Sequence, residues 1–281
     1  MIKYIDLLIL VLLIILIFIS YKKIEYFNYK KKIVVIEPRD HKNMLSLINN
    51  IIDYKPKDWD IQIFIGKNMN IDNLPKNDKN NKEIIYTRLD KNNLFANDYN
   101  NFFKSKDFWN QIDAEYIQIM QTDSALCKKS RLKLDDFIKF PYIGCSSWLK
   151  AWSTSNHNVK DKNEISCLGI GGFSMRQKSI MLECIDKSKD MLFTGNKNEL
   201  TDKSPITGGE DFFFSRCISK LKYNIPTEND MIDYCIEYNY KNNSDVPVGI
   251  HTSQISKSTA NWLLNKCPEG KFTLDDILNK N

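Results

Sequence analysis

One aspartate and one histidine stand where a metal ion could be bound. Asp123 directly follows the apolar run at residues 116–120, and a carboxylate at the end of a strand can hold Mg²⁺ or Mn²⁺. The open positions of the metal would then take diphosphate oxygens. His251, one of three histidines, would add a nitrogen ligand suited to Mn²⁺. Structural roles are the alternative, an Asx turn or helix N-cap for Asp123 and a buried structural position for His251.

Two adjacent acids, Glu210 and Asp211, stand at the predicted start of a helix that opens with three phenylalanines. One carboxylate of such a pair can take a proton from a hydroxyl group, while its neighbour orients the molecule that carries the hydroxyl. Acids in the first turn of a helix are also ordinary, because they offset the positive end of the helix dipole. The sequence supports both interpretations.

A glycine-dense segment at residues 169–176 precedes a predicted helix at residues 177–185. Glycine lets the backbone approach a ligand closely, so that backbone N–H groups can donate to it. Gly171 and Gly172 are therefore candidate binding residues. A plain turn followed by a helix start is the alternative interpretation.

Apolar segments with strand and helix periodicity alternate along the chain and must position these residues. Strands are predicted at residues 32–36, 59–65, 83–89 and 116–120, helices at 41–52 and 102–112, and a loop at 67–82. This alternation predicts an α/β fold with a mainly parallel central sheet flanked by helices.

In such sheets a ligand lies at the carboxyl ends of the strands. Glu37 and Arg39 follow the first predicted strand and Gln121 and Thr122 follow the fourth, so these residues join the candidate binding set. Four side chains are expected to converge on one cleft: Glu37, Asp123, Glu210 and His251. Asp123 and His251 should lie less than about 12 Å apart, so that one metal and its diphosphate can reach both side chains. Neither a dinucleotide-binding glycine signature nor a P-loop occurs.

The first 21 residues predict a transmembrane helix. Residues 7–19 are an unbroken apolar run, which Ile2, Tyr4 and Ile5 extend to nearly the length that spans a bilayer. A cleaved signal peptide and a buried core helix are the alternatives, but no small-residue cleavage site follows and the run is apolar on every face. Residues 22–32 then form a basic linker, 33–253 the main domain and 254–281 a helical tail.

The charges and cysteines narrow the class of protein. The chain has 281 residues, 42% of them hydrophobic, and a net charge of +5 that is scattered, so no nucleic-acid partner is expected. Five lysines follow the predicted span, and the positive-inside rule then places the main domain in the cytosol. One glycosylation sequon occurs, at residues 242–244. Seven cysteines without zinc-type spacing are expected to be mostly small buried hydrophobic residues in a reducing compartment.

Six short motifs occur in the order of one family of sequences. They are VIEPR (residues 35–39), QTDSALC (121–127), YIGCSSW (142–148), GGFSMR (171–176), EDFF (210–213) and GIH (249–251). In this order they resemble a family of uncharacterised glycosyltransferase-like domains, and more broadly the metal-dependent glycosyltransferases of the GT-A fold. The resemblance implies a GT-A-like nucleotide-diphospho-sugar transferase fold and a nucleotide-sugar donor. It also implies a hydroxyl acceptor on a glycan, protein or lipid, and Mn²⁺ or Mg²⁺ as cofactor.

The resemblance to β-1,4-galactosyltransferases assigns roles to individual residues. Asp123 is similar to the last acid of their metal-binding D-x-D motif and His251 to a histidine metal ligand. Asp211 is similar to their catalytic base and Glu210 to their acceptor-binding acid, which implies an inverting transfer. Gln121 stands where these enzymes have the first acid of D-x-D.

Residues 146–148 (SSW) depart from the family's usual residues before its tryptophan, which implies a different donor pocket.

Other functions remain as alternatives. A catalytically inactive, membrane-anchored module that binds a sugar or nucleotide is the main alternative. A phosphohydrolase would need more metal ligands than the sequence shows. Golgi-type transferases have the opposite topology to the one the lysines predict, so the side of the membrane stays open.

Overall fold

The computed structural model describes residues 11–12, 29–146, 167–188, 209–238 and 245–279. The chain divides into two compact units, Met1–Lys30 and Lys31–Asn281. The predicted transmembrane helix at residues 1–21 lies outside the described residues, except for Val11 and Leu12, which are helical. Within the described parts of the chain, no helix is long and apolar enough to cross a bilayer.

The strands of the second unit form two sheets. The strands among the described residues are β1 (Lys31–Glu37), β2 (Trp59–Ile65), β3 (Ile85–Arg88), β4 (Tyr116–Met120), β5 (Ser124–Leu126), β6 (Tyr142–Cys145), β7 (Ile170–Gln177), β8 (Cys235–Ile236) and β9 (Gly249–His251). The central sheet has the order β3-β2-β1-β4-β7-β6 and the small sheet the order β5-β9-β8. Among the described strands of the central sheet, β7 alone runs against its neighbours.

The helices follow the strands in sequence. Their bounds are α1 (Met44–Tyr54), α2 (Ala96–Phe103), α3 (Lys106–Asn110), α4 (Lys178–Lys187), α5 (Glu210–Lys220), α6 (Glu228–Tyr234), α7 (Lys257–Lys266) and α8 (Lys271–Leu278). Short 3-10 helices lie at Leu134–Phe137 and Pro268–Gly270. The predicted α/β architecture, with helices flanking a mostly parallel sheet, is confirmed.

The parallel strands end together at one edge of the central sheet. The first residues of β1 pair with the first residues of β2 and of β4, so the three strands run in step. β1 and β4 are buried along their whole length, as strands covered on both faces are. Glu37 and Met120 therefore lie at the carboxyl edge. Because Phe173 of the antiparallel β7 pairs with Met120, the first residues of β7 reach the same edge.

Two apolar cores stabilise this arrangement. Helices α2 to α5 pack an aromatic-rich cluster onto the sheet face that carries Val34 and Ile119. Helices α7 and α8 pack onto the small sheet around Ile250. Asn50 joins helix α1 to strand β5 of the small sheet. Its side-chain amide forms two hydrogen bonds, of 3.1 and 2.8 Å, with the backbone of Leu126. Each fully buried large apolar side chain contributes roughly 1.5–3 kcal/mol by leaving water.

Two sequence-based assignments change. Lys31 and Lys32, predicted as linker, are buried in β1, and the ammonium group of Lys31 contacts the carboxylates of Asp58 and Asp135 at 2.6 Å each. The glycine-dense segment at residues 169–176, for which a ligand-binding segment and a plain turn were the two interpretations, lies largely in the strand β7. Pairing with β4 on one side and β6 on the other outweighs the low strand propensity of its glycines. The helix predicted to follow is confirmed.

The prediction that most cysteines are unpaired is wrong. Six of the seven form three disulfides, Cys127–Cys267, Cys145–Cys235 and Cys184–Cys217, with Cα–Cα distances of 5.0, 4.4 and 5.7 Å. Cys167 is free. The partners are far apart in sequence, so spacing gave no sign of them. Because disulfides persist in oxidising compartments, the expectation of a reducing compartment loses its basis.

Candidate functional site

The structure brings Asp123 and His251 together at the carboxyl edge of the central sheet. Asp123 lies in the turn between β4 and β5, where its backbone oxygen accepts hydrogen bonds from the N–H (2.8 Å) and hydroxyl (3.1 Å) of Thr252. Ser124 pairs with His251 across β5 and β9, so Oδ1 of Asp123 lies 3.1 Å from Nε2 of His251. The expected proximity of these two residues is confirmed.

A second carboxylate lies on the other side of the His251 ring. Oε1 of Glu237 is 3.2 Å from Nδ1 of His251 and accepts a hydrogen bond from the hydroxyl of Ser253. Glu237 and His251 are 0% and 2% exposed. Among the described residues, neither ring nitrogen of His251 nor Oε2 of Glu237 has a partner with hydrogen-bond geometry. This buried cluster of carboxylate and imidazole groups is a candidate ligand-binding site.

The two carboxylates determine the protonation of the histidine. Burial lowers the pKa of His251, but the negative charges of Asp123 and Glu237 outweigh burial and raise this pKa to about 10. For Asp123 burial acts in the opposite direction and raises the pKa. The charge of His251 outweighs burial and holds the pKa of Asp123 below its ordinary value. In the metal-free protein His251 is thus a cation between two anions, and a metal must displace its proton.

The positions of the ligand atoms fit a hard divalent cation. Two ligands at right angles, each about 2.1–2.2 Å from an octahedral ion, are about 3 Å apart, as Oδ1 of Asp123 and Nε2 of His251 are. Glu237 lies on the Nδ1 side, where it can accept the Nδ1 proton and fix the orientation of the ring, as outer carboxylates do in metal sites. The residues present therefore fit Mn²⁺ or Mg²⁺.

Glu37, at the end of β1, orients an exposed arginine. Its carboxylate accepts hydrogen bonds from Nε and Nη2 of Arg39, both at 2.8 Å, and from the Arg39 backbone N–H at 3.0 Å. The hydroxyl of Thr122 donates to Oε2 of Glu37 at 3.4 Å. The side chain of Arg39 is 57% exposed and that of Glu37 only 6%. Arg39 is thus fixed with a guanidinium face toward solvent, where an anionic ligand can meet it.

Glu210 is paired with a buried arginine. Nη1 and Nη2 of Arg176 donate to Oε2 and Oε1 of Glu210 at 2.5 and 2.9 Å. The Arg176 guanidinium also lies over the rings of Phe103 and Tyr142, 4.5 and 5.1 Å from their centroids. Both carboxylate oxygens of Glu210 are therefore engaged within the protein. The role of Glu210 in binding an acceptor stays a prediction, and its contacts favour a positioning role instead.

Asp211, the next residue, has a different environment. It is half-buried, and its Oδ1 accepts a hydrogen bond from the backbone N–H of Phe212 at 2.8 Å. Burial, followed by the negative charge of Glu210, raises the pKa of Asp211 to about 7. The hydrogen bond from Phe212 and the positive charge of Arg176 oppose this rise, and the charge of Glu237 adds a smaller contribution to it. A carboxyl group that titrates near neutral pH is suited to proton transfer.

The first residues of β7 separate the two clusters. A Cβ on Gly171 would lie 2.2 Å from Oε1 of Glu210, and a Cβ on Gly172 would lie 2.3 Å from Nε2 of His251. The latter Cβ would also lie 2.7 Å from Oε1 of Gln121, which places Gln121 beside the histidine ring. The glycines thus make room for protein side chains. Their direct contact with a ligand stays a prediction.

Two residues of the site were not among the sequence candidates for a role. Arg176 ends the GGFSMR motif, but the mixed composition of that segment does not predict a fully buried guanidinium. Glu237 follows the two-residue strand β8 and belongs to none of the motifs. The available sign was its position directly after the apolar pair Cys235 and Ile236, which predicts a buried strand end.

Comparison with known proteins places the chain in one family. The profile of a family described as protein of unknown function (DUF5672) matches residues 83–251, more than half of the chain. This span includes Asp123, His251 and Asp211, whereas Glu37 and Arg39 precede it. No curated protein matches the chain. The chain is therefore a member of the DUF5672 family of proteins of unknown function.

Proposed function

We propose that this chain is a metal-dependent glycosyltransferase of GT-A type, which moves a sugar from a nucleotide-diphosphate donor to a hydroxyl acceptor. The observation that carries the proposal is the 3.1 Å contact between Oδ1 of Asp123 and Nε2 of His251. These residues come from distant motifs of the glycosyltransferase-like set and meet at the carboxyl edge of a mainly parallel sheet, where such folds bind ligands.

The donor is held at this edge. Asp123 and His251 would hold the metal, which would supply positive charge opposite the diphosphate. The exposed guanidinium of Arg39, oriented by Glu37, contacts phosphate oxygens. The remaining proposed donor contacts are Gln121, Thr122, Gly171 and Gly172.

Asp211 acts as the general base. As the acceptor oxygen forms a bond to the anomeric carbon, Asp211 takes the hydroxyl proton and the bond from that carbon to the phosphate oxygen breaks. Attack opposite the leaving group inverts the anomeric centre. Glu210 acts on Asp211 through its charge, which raises the Asp211 pKa toward neutrality, and Arg176 holds Glu210 in place.

The test combines a donor screen with two variants. The full-length chain is incubated with Mn²⁺ and a panel of nucleotide-sugars, and release of the nucleotide diphosphate is followed. Asp211→Asn should lower turnover by about 10²–10⁴-fold with donor affinity unchanged, because the base acts in the transition state. Asp123→Asn should instead weaken Mn²⁺ and donor binding, measured by calorimetry.

A matched control separates catalysis from helix stability. Asp107 is an exposed acid in the first turn of α3, as Asp211 is in the first turn of α5. Asp107→Asn should leave turnover unchanged. Donor binding without release of product from any donor would favour the inactive binding module. A fully active Asp211→Asn enzyme would remove Asp211 from the mechanism.

We also propose that residues 1–21 anchor the chain in a membrane, with residues 31–281 on the oxidising side. The three disulfides support this side, because such bonds persist in oxidising compartments. The lysines after the span favour the opposite side. Protease protection in intact membrane vesicles distinguishes the two, since a domain on the oxidising, lumenal side would resist digestion.

A further inference from the structure

Cys145 lies beside Glu237 and His251, two buried residues of the candidate metal site. One ligand atom each from Cys145, Glu237 and His251 lie within 4.8 Å of one another, and all three residues are buried. The Sγ atom of Cys145 is bonded to that of Cys235 in the oxidised protein, so it is no ligand there. The carboxylate and imidazole beside it carry three of the eight buried side-chain atoms that have no hydrogen-bond partner among the described residues.

We propose that reduction of the Cys145–Cys235 disulfide creates a zinc site formed by Cys145, Glu237 and His251. Thiolate, imidazole and carboxylate are the three side-chain groups that bind Zn²⁺ in proteins, and three protein ligands leave a fourth position for water or another ligand. The thiolate selects Zn²⁺ over Mn²⁺ and Mg²⁺, which prefer oxygen ligands. The proposal does not depend on the glycosyltransferase function.

The geometry needed for zinc is close to the one described. Ligands about 2.0–2.3 Å from a tetrahedral ion are about 3.3–3.8 Å apart, and Oε1 of Glu237 is already 3.2 Å from Nδ1 of His251. Loss of the disulfide does not free the backbone around it. The N–H and hydroxyl of Ser146 donate to the backbone oxygen of Cys235 at 2.9 and 3.2 Å, which holds β6 beside β8. Because the three ligand atoms already lie within 4.8 Å of one another, a shift of about 1 Å brings the sulfur to the spacing of zinc ligands.

The redox step needs an external dithiol. The disulfide accepts two electrons and two protons and yields the thiols of Cys145 and Cys235, while the dithiol becomes its own disulfide. The Cys145 thiol then releases its proton to solvent as the thiolate binds zinc. The zinc ion lies on the Nδ1 side of His251, whereas Asp123 lies on the Nε2 side.

The test uses two variants that break the same disulfide and differ in the thiol they leave. In a Cys167→Ser background, which removes the other free thiol, Cys235→Ser retains Cys145 and Cys145→Ser retains Cys235. The probe is Co²⁺ alone, a spectroscopic substitute for Zn²⁺ whose thiolate charge-transfer absorption appears only when sulfur is a ligand. Cys235→Ser should bind about one Co²⁺ with this absorption, displaced by Zn²⁺, and Cys145→Ser should not show it.

A second measurement guards against variants that fail to fold. The wild-type chain is treated with a dithiol, and alkylation of each thiol is followed by peptide mass with and without Zn²⁺. Both cysteines are buried in the folded chain, so zinc should slow the alkylation of Cys145 relative to that of Cys235. Adding Glu237→Gln to the Cys235→Ser variant should abolish the cobalt absorption. Equal absorption in both serine variants, or zinc that leaves the alkylation of Cys145 unchanged, would overturn the proposal.

Discussion

Replacing Asp211 by asparagine should make the protein more stable at neutral pH, although the same change should remove activity. The unfolded chain gives aspartate its ordinary pKa of about 3.9, whereas burial and the Glu210 charge raise the folded-state pKa to about 7. Between these values the folded protein binds a proton that the unfolded chain has lost. Stability from this group therefore falls as the pH rises from about 4 to about 7, and stays low above that.

The size of the effect follows from the difference in pKa. The folded and unfolded pKa values of Asp211 differ by about three, and each pKa unit corresponds to 1.36 kcal/mol. The free energy of unfolding is therefore lowered by at most about 4 kcal/mol at pH 8. Asparagine has the same shape and keeps an oxygen that accepts from the N–H of Phe212, but it carries no charge. We expect Asp211→Asn to be more stable than wild type at pH 8 by about 1–4 kcal/mol, and equal to it below pH 4.

Urea unfolding followed by circular dichroism, at intervals from pH 4 to pH 8, measures the free energy of unfolding of wild type and of Asp211→Asn as a function of pH. The control is Asp107→Asn, whose exposed first-turn acid stabilises its helix, so that variant should lose about 0.3–1 kcal/mol. The difference between wild type and Asp211→Asn is the informative quantity, because other titrating groups cancel in it. A difference that does not change with pH, or a variant less stable than wild type at pH 8, would refute the assigned environment of Asp211.

Three other perturbations test the site. Arg176→Met should destabilise the fold by about 3–5 kcal/mol in urea unfolding, because it leaves the Glu210 carboxylate buried without its partner. Glu237→Gln should weaken Mn²⁺ binding by about 10–100-fold in calorimetry, because His251 loses the carboxylate that orients its ring. Gly172→Ala should cost roughly 1–3 kcal/mol and also weaken Mn²⁺ binding, since its Cβ would overlap the His251 ring. Unchanged Mn²⁺ affinity in both of the last two variants would contradict the proposed metal site.

The parts of the fold that sequence predicted well are those with strong local patterns. The strands at Trp59–Ile65 and Tyr116–Met120 have the predicted bounds, because both are apolar runs with clear turn signals after them. β7 was missed because its strand state depends on two neighbouring strands, and its glycines give no apolar pattern. The disulfides were missed for a related reason, since pairing partners cannot be read from spacing alone.

The site was predictable only in part. Asp123 and His251 were identified from a motif order, and the β5–β9 pairing that joins them is a long-range contact that no local pattern encodes. The pairing of Glu210 with Arg176 was not foreseen, because adjacent acids at a helix start look alike in sequence. In the structure they differ sharply. Glu210 faces a guanidinium, whereas Asp211 has a raised pKa.

Two groups of polar side chains lie around β7, one with a structural role and one that forms the candidate binding site. The Arg176–Glu210 pair is buried, bidentate and stacked on aromatic rings, so its hydrogen-bonding capacity is used within the protein. Close by, the buried His251 imidazole is held through ion pairs with Asp123 and Glu237 at 3.1 and 3.2 Å, and Oε2 of Glu237 has no hydrogen-bond partner among the described residues. Ionisable groups packed together at the carboxyl edge of a mainly parallel sheet, with pKa values shifted from the ordinary ones, are typical of a ligand-binding site.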